Sequence, residues 1–267
     1  MVFKIFKHIL NVIPLEIKQL TKRLFLQKDP FSAIRKIPRY QEANISIGKA
    51  RIRIADNASF FFMYHEIFEK EIYKFQSDRP DPLIIDGGAN IGLATLYLKQ
   101  LYPKARIIAF EPDPYIFSLL KTNISENQLS EVELVNKGLW IEDKTLSFWS
   151  EGADGGRVSA EGGINIPVVS LRPYLNEPVA LLKLDIEGAE EEVLECIKDD
   201  LGKVMRVFVE YHSFLDRPQA IGRIIEILQD AGFRLQINSP GLSTQTPFLS
   251  INTYAGMDMQ LNIWGFR

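Results

Sequence analysis

Short runs of apolar residues alternate with helix-like segments from residue 83 onwards. The runs centre on Ile85, Ile108, Leu134, Leu184 and Phe208, and three of the intervals between neighbouring centres are 23, 26 and 24 residues. Such an interval fits one strand and one crossover helix, and strands that are apolar on both faces are typical of a parallel sheet covered on both sides. The pattern therefore predicts an α/β fold in three layers, with a mostly parallel sheet between helices.

Two parts of the chain depart from this simple alternation. The interval between the third and fourth runs is 50 residues, and two alternating stretches between residues 144 and 170 predict an inserted hairpin. After the fifth run, the sequence predicts a helix over 218–230 and strands over 233–237 and 261–266. The connection over 238–260 is long for a plain loop and is therefore a candidate functional element.

The first 80 residues have a different character. Residues 2–28 have apolar positions at helical spacing, residues 43–56 alternate as in a β-hairpin, and residues 59–75 return to helical spacing. A segment rich in Asp and Pro follows. We therefore predict an accessory region over residues 1–80 and a main domain over residues 81–267.

Charge is distributed unevenly along the 267 residues. The first 40 residues hold nine Lys and Arg against two acidic residues, a charge of +7, and the rest of the chain carries −10. A globally basic nucleic-acid-binding protein is therefore disfavoured. The basic helical segment is either the solvated face of a packed helix or a peripheral membrane contact through residues 1–40. No apolar run reaches the ~18–20 residues that span a bilayer.

The cysteine and histidine content limits the possible chemistry. One cysteine, Cys196, excludes a disulfide within the chain and suits a reducing compartment, so we expect a cytoplasmic protein. Three histidines and one cysteine also exclude a metal site rich in these ligands, and we predict no metal site. The sequence leaves the oligomeric state open.

The most informative motif is DGGANIG at residues 86–92, between the first apolar run and a helix-like segment. In an open parallel sheet, ligands bind at this position beyond the carboxyl end of a strand. A dinucleotide site needs the pattern G-x-G-x-x-G, but aligning either of the paired glycines puts Ala89 or Asn90 where the second glycine belongs. The carboxylate of Asp86 would also repel a pyrophosphate and attract a cation. The motif thus favours the sulfonium compound S-adenosylmethionine over a dinucleotide.

Two further polar residues follow the next apolar runs. Glu111 lies nineteen residues after Gly92 and ends the second run. A carboxylate there can accept both ribose hydroxyls of an adenosine, which NAD and S-adenosylmethionine share. Asn136 follows the third run, where its side chain would reach the adenine or ribose or else serve a turn. These residues indicate a nucleoside without choosing its class.

Acidic residues and one histidine end the fourth and fifth runs. If the two strands are neighbours, Asp185, Glu187, Glu210 and His212 converge at one edge of the sheet. An ordinary imidazole titrates near pH 6.5, so we predict that His212 is a general base oriented by Asp185 or Glu210. The same carboxylates could instead hold Mg²⁺. Lys183 lies within a buried strand, and we expect it to pair with Asp185 or with the acid of the glycine motif.

The chain resembles the FkbM family of S-adenosylmethionine-dependent methyltransferases over roughly residues 82–236. The motifs that carry the resemblance are IDGGANIG (85–92), AFEPDP (109–114), NKGL (136–139), LKLDIEGAE (182–190) and VEYH (209–212). The resemblance implies a class I methyltransferase fold, with a seven-stranded sheet whose last strand is antiparallel. It also implies methyl transfer, most often to an oxygen of a sugar, lipid or natural product. The implied cofactor site consists of Asp86, Gly87, Gly88, Asn90, Gly92, Glu111, Pro112, Asn136, Asp185, Glu187 and Gly188.

We therefore predict an O-methyltransferase that uses S-adenosylmethionine and a small-molecule or glycan acceptor. Two alternatives remain at this point. One is an NAD(P)-dependent oxidoreductase on the same architecture. The other is a non-catalytic, membrane-associated binding module that uses the basic N-terminal segment.

Overall fold

The structure is a computed structural model. It describes residues 31–150, 152, 155–158, 163–242 and 244–267, the side chains of residues 157 and 158 excepted. The predicted helix over residues 2–28 lies outside the described residues. The chain divides into two compact units, Met1–Pro38 and Arg39–Arg267. In the described part of the first unit, Ile34–Lys36 form a 3-10 helix.

The second unit contains the sheets and the cavity. Its strands are β1 (Ala43–Ile47), β2 (Ala50–Ile54), β3 (Leu83–Gly87), β4 (Arg106–Phe110), β5 (Val132–Val135), β6 (Gly138–Trp140), β7 (Lys144–Trp149), β8 (Arg157–Val158), β9 (Ile164–Ser170), β10 (Leu181–Leu184), β11 (Arg206–Phe214), β12 (Arg234–Asn238) and β13 (Met257–Phe266). Its α-helices are α1 (Asn57–Tyr64), α2 (Leu93–Leu101), α3 (Pro114–Glu126), α4 (Glu190–Ile197) and α5 (Ile221–Asp230). A π-helical turn, His65–Glu69, continues α1.

Seven strands form the central sheet in the order β5-β4-β3-β10-β11-β13-β12. The strands from β5 to β11 in this order are parallel, and β13 is antiparallel to both of its neighbours. The strand order reverses between β3 and β10: β4 and β5 follow on one side of this pair and β11 on the other. Open α/β sheets bind their ligands at such a reversal point. This topology confirms the predicted class I methyltransferase fold with an antiparallel last strand.

Two apolar clusters hold helices against this sheet. The larger one joins α4 and α5 to β3, β10 and β11, and a smaller one joins Leu120 and Ile124 of α3 to Ala109 of β4. The α-helical residues at the centre of the larger cluster are fully buried: Val193, Leu194, Ile197, Ile224 and Leu228. Burial of such aliphatic side chains contributes about 1.5–3 kcal/mol each relative to exposure. The strand ends that carry the polar motifs are thus fixed from both sides.

The long interval between the third and fourth runs contains a second sheet, in the order β6-β9-β7-β8. The antiparallel pairing of β7 with β9 confirms the predicted hairpin. The sequence prediction missed β6 and β8 because each is too short to show a hydrophobic period. It also extended the helix over 59–75 too far, since helical structure ends at Glu69, and it began the last strand four residues late, since β13 starts at Met257.

The β1–β2 hairpin is fixed to α3 by two asparagines four residues apart. Asn123 accepts the N–H of Arg53 at 2.7 Å, and its amide donates to the carbonyls of Arg53 and Ile91 at 3.0 and 2.8 Å. Asn127 repeats this one turn later with the N–H and carbonyl of Arg51, at 3.0 and 2.6 Å. The hairpin is therefore held within the compact unit Arg39–Arg267.

We predict that Asn123→Ala lowers the free energy of unfolding by about 3 kcal/mol, because it leaves buried backbone groups without partners. Asn127→Ala is the matched control, since it removes a similar pair of bonds at a position that water reaches, and it should cost about 1 kcal/mol. Urea-induced unfolding of both variants measures the difference. Equal losses would contradict the role given to burial at Asn123.

Candidate active site

A cavity of about 520 Å³ opens at the carboxyl ends of β3, β4, β10 and β11. Phe62 and Met63 of α1 form part of its wall. The connection from β12 to β13 contributes Leu242 and Tyr254 to the same wall, and Met257 follows at the start of β13. The long connection that the sequence analysis singled out therefore borders the cavity.

The backbone N–H groups of the glycine loop after β3 all donate hydrogen bonds within the protein. The N–H groups of Gly88 and Ala89 donate to the carbonyl of Phe110, at 3.0 and 2.8 Å. The N–H group of Asn90 donates to the Glu111 carboxylate at 2.9 Å. The last two donate to acceptors within the loop, at 2.7 and 2.9 Å. A pyrophosphate is recognised by backbone N–H groups that point at it. Because these five are already engaged, the loop suits a ligand without phosphate.

Lys183 of β10 lies beneath this loop and is 2% exposed. Its Nζ is 3.2 Å from Oδ1 of Asp86 and 3.4 Å from Oδ2 of Asp185. It also donates to the carbonyls of Gly87 and Gly88, at 3.2 and 2.8 Å. Burial acts to lower the pKa of this ammonium group, but the two carboxylates reverse the effect and hold the pKa above its ordinary value. Lys183 therefore pairs with both of the acids that the sequence analysis offered as alternatives.

The structure gives Asp86 a different place from the one expected. It is fully buried, faces Lys183 across adjacent strands and accepts the hydroxyl of Thr95 at 2.8 Å. It does not line the cavity, so the prediction that its carboxylate points at the ligand is wrong. Gly88 does line the cavity, and a Cβ there would lie 1.8 Å from the carbonyl oxygen of Asp185, which explains the glycine at a φ of +77°.

Glu111 is buried at the end of β4 and lines the cavity. Its two oxygens accept the N–H groups of Asn90 and Asp113, each at 2.9 Å. Burial raises its pKa to about 8 in spite of these bonds. Each carboxylate oxygen can accept a second hydrogen bond, so a pair of vicinal hydroxyls fits here. Asn136 does not line the cavity; its amide donates to the carbonyls of Glu111 and Pro112, at 2.8 and 3.3 Å, and so holds this corner.

The ends of β10 and β11 bring the remaining candidates together, as predicted. Nε2 of His212 is 3.8 Å from a carboxylate oxygen of Glu187 and 3.8 Å from one of Glu210. Nδ1 of His212 is 3.2 Å from Oε1 of Glu190, so the acid at this nitrogen is neither Asp185 nor Glu210. Asp185, Glu187 and His212 each have a ligand-type atom within 4.8 Å of the others.

This acidic cluster binds protons more tightly than its members do in water. Burial raises the pKa of Glu187 to about 8 and that of Glu210 to about 7. Burial acts to lower the pKa of His212, but Glu187, Glu190 and Glu210 outweigh it and hold the pKa well above the ordinary value of 6.5. These carboxylates therefore favour the protonated imidazole. The expectation of an ordinary imidazole is thereby corrected.

Glu190 is the functional residue that the sequence analysis missed. It is 1% exposed at the start of α4, and its Oε1 also accepts the N–H groups of Ile186 and Gly188, at 3.2 and 3.0 Å. One carboxylate thus ties the turn after β10 to the imidazole of His212. An acid in the first turn of a helix is a common capping signal and does not by itself reveal such a role.

Of the predicted cofactor residues, six line the cavity: Gly88, Asn90, Glu111, Pro112, Asp185 and Glu187. Five do not line it and instead shape the loops around it: Asp86, Gly87, Gly92, Asn136 and Gly188. The predicted catalytic residues Asp185, Glu210 and His212 all line it. A glycine loop after β3, a buried carboxylate after β4 and an acidic cluster after β10 and β11 are the features expected of a nucleoside-binding α/β enzyme.

The chain belongs to the methyltransferase FkbM domain family, whose sequence profile matches residues 86–235. It is 33% identical over 214 residues to methyltransferase sdnD of Sordaria araneosa, covering 64% of this chain and 81% of the relative. It is 27% identical over 213 residues to the 31-O-demethyl-FK506 methyltransferase FkbM of Streptomyces tacrolimicus, covering 64% and 81%. It is 30% identical over 152 residues to the hexuronic acid methyltransferase AglP of Haloferax volcanii, covering 54% and 62%.

This family membership implies S-adenosylmethionine as the methyl donor. The residues present fit it on two observations of the structure. Glu111 offers two acceptor positions for a ribose diol, and the cluster around Glu187 and Glu210 offers negative charge to a cation.

Among the described residues, no helix combines the length and apolar character needed to cross a bilayer.

We predict that Lys183→Met lowers the free energy of unfolding by about 3–5 kcal/mol, because it leaves the buried carboxylate of Asp86 without its counter-ion. Lys99→Met is the matched control. Lys99 is another buried lysine, but its Nζ donates to the carbonyl of Ala105, so this change should cost about 1 kcal/mol. Urea-induced unfolding compares the two variants. Similar losses for both would show that the ion pairs of Lys183 contribute little.

Proposed function

We propose that the protein transfers a methyl group from S-adenosylmethionine to a hydroxyl oxygen of a natural product, sugar or lipid-linked glycan. The observation that carries the choice of donor is the glycine loop, whose five consecutive N–H groups are engaged within the protein. A donor with an adenosine and no phosphate matches this loop, and a nicotinamide dinucleotide does not. S-Adenosylmethionine supplies an electrophilic methyl carbon on a sulfonium.

We assign the residues of the cavity to three tasks. Glu111 accepts the ribose hydroxyls, and Asn90 and Pro112 border it. Asp185 and Glu187, after β10, face the positively charged end of the donor. Because methyl transfer is an in-line displacement, the main contribution of these groups is to hold donor and acceptor in line and to exclude water.

The acceptor proton goes to the pair His212 and Glu210. Positive charge brought into the cavity lowers the pKa of both groups, and this moves them towards the deprotonated forms that a base needs. Glu210, with a pKa of about 7 in the free protein, is already close to the value that suits a general base at neutral pH. Glu190 holds the imidazole through Nδ1 and leaves Nε2 towards Glu210.

We propose that this cluster handles protons without a metal. Mg²⁺ takes oxygen ligands, whereas one of the three atoms grouped within 4.8 Å is an imidazole nitrogen. Activity that is lost in EDTA and restored by Mg²⁺ would contradict this assignment.

The acceptor side of the cavity combines apolar walls with the acidic cluster. Phe62, Met63, Tyr254 and Met257 contribute apolar surface to the same cavity as Glu210. This suits a hydroxyl carried on a largely apolar body. The names of two relatives, an O-demethyl-FK506 methyltransferase and a hexuronic acid methyltransferase, support natural products and sugar acids as the classes to screen. We place the reaction in the cytoplasm because the lone cysteine suits a reducing compartment.

We predict that the affinity for S-adenosylmethionine rises as the pH increases from 6 to 8 and levels off above about 8. Glu111 is largely protonated below its pKa of about 8, and the ribose hydroxyls bind its ionised form, so binding releases a proton. Titration calorimetry in two buffers of different ionisation enthalpy measures that release. Glu111→Gln should weaken binding by roughly 10–100-fold and reduce the proton release.

The same titrations separate the alternative functions. Saturation with NADH or NADPH, without binding of S-adenosylmethionine, would sink the methyltransferase proposal and favour an oxidoreductase. Binding of S-adenosylmethionine without turnover on any acceptor of a broad hydroxylated panel would favour the non-catalytic module.

We predict that His212→Ala lowers turnover by roughly 10²–10⁴-fold while the affinity for S-adenosylmethionine stays close to wild type. His65→Ala is the matched control, because His65 is an exposed histidine that pairs with Glu69 and does not line the cavity. Turnover is measured as release of S-adenosylhomocysteine with an acceptor found in the panel. It should rise with pH with a midpoint below about 7, because the bound donor lowers the pKa of Glu210 from its value in the free protein. Near-normal turnover of His212→Ala would remove the base assignment.

A further inference from the structure

The connection between β12 and β13 carries an apolar surface that the proposed chemistry does not use. The sequence between Arg234 and Asp258 contains no charged residue. Within it, Phe248, Leu249 and Ile251 are 103%, 85% and 54% exposed. We call these three residues the apolar tip. Three large aliphatic and aromatic side chains so close together on a surface mark an interaction site more often than single exposed residues do.

The backbone around the apolar tip forms a hydrogen-bonded turn. The N–H groups of Leu249 and Ser250 donate to the carbonyl of Thr246, at 2.9 and 3.1 Å. The N–H of Asn252 donates to Oγ1 of Thr244 at 2.7 Å. The turn therefore engages three of its N–H groups while it presents apolar side chains outward. Each N–H group that is already bonded lowers the cost of moving this part of the turn out of water.

The two ends of this connection border the mouth of the cavity. Pro240 and Leu242 line it on the way out from β12, and Tyr254 lines it on the way back to β13. In sequence, the apolar tip therefore lies between two segments that line the cavity. Tyr254 is itself 55% exposed, and tyrosine is enriched where an apolar medium meets water.

We propose that the apolar tip inserts into the interface of an anionic lipid bilayer. The first 40 residues carry a charge of +7 and supply the electrostatic attraction to anionic lipids. Stable attachment generally needs two such signals, one apolar and one basic, and this chain has both. That the bilayer would then present an acceptor to the cavity mouth rests on the proposed function, whereas attachment itself does not.

A second copy of the chain is a poorer occupant of this surface. Stable protein interfaces bury about 1,200–2,000 Å² in total. Three side chains on one turn offer a small part of that area. A bilayer has no such requirement, since it surrounds each inserted side chain.

Sedimentation of the full chain with vesicles tests the proposal. We expect binding to vesicles of phosphatidylcholine and phosphatidylglycerol at a ratio of 7:3 and much weaker binding to pure phosphatidylcholine. The double variant Phe248→Ser and Leu249→Ser should weaken binding by roughly ten-fold or more. Met205→Ser is the matched control, because Met205 is 45% exposed just before β11, away from the cavity, and its loss should leave binding unchanged. Equal binding of wild type and double variant, or no binding of wild type, would overturn the proposal.

A fluorescent label reports insertion directly. Cys196 is the one cysteine of the chain, so Leu249→Cys in a Cys196→Ser background takes a single polarity-sensitive dye. The dye should shift to the blue with anionic vesicles, while a dye at Met205→Cys should not. A blue shift at residue 249 in the absence of vesicles, in a dimer seen by light scattering, would assign the apolar tip to self-association. Vesicle binding without any shift at residue 249 would assign attachment to the N-terminal segment alone. Either result contradicts the proposal, and neither bears on methyl transfer.

Discussion

The site depends on one buried cation. Lys183 neutralises Asp86 and Asp185, which lie on and after neighbouring parallel strands, and it also donates to the carbonyls of Gly87 and Gly88. A buried carboxylate without its counter-ion costs several kcal/mol and a buried carbonyl without a donor about 1–3 kcal/mol, so these four groups stay together around a cation. The glycine loop and the end of β10 are therefore positioned by the same ammonium group. This group therefore fixes the distance between the two sides of the cavity that the glycine loop and the end of β10 form.

Much of this arrangement could be predicted from the sequence because it follows from strand periodicity. Alternation places Lys183 and Asp185 on one face, and neighbouring parallel strands bring Asp185, Glu187, Glu210 and His212 to one edge. The parallel part of the sheet follows from the spacing of the apolar runs in the same way, whereas the count of seven strands and the antiparallel last strand are what the family resemblance implies. These predictions need only local geometry and the handedness of crossover connections.

The errors arise where a contact joins segments with no fixed relation in sequence. Asp86 was expected both as an acid facing the ligand and as a possible partner of Lys183. These two places exclude each other, and the register of β3 with β10, which the sequence does not give, selects the ion pair and turns the carboxylate inward. The hairpin belongs to the main unit through Asn123 and Asn127, and an asparagine on a helix gives no sign of which strand it will hold. Glu190 was missed for the same reason, since it lies at the start of α4 and its partner His212 lies on β11.

The proposed preference for a positively charged ligand does not depend on Asp86, which is buried against Lys183 and does not line the cavity. The charge that faces the cavity belongs to the acids around His212, and burial makes these acids hold protons that they would lose in water. Such a cluster is costly to leave ionised in the free protein, and a cation in the cavity removes that cost. For the proposed sulfonium donor, binding and release of protons are therefore coupled. A site built in this way gains its negative charge, and its capacity to accept a proton, only when the donor is in place.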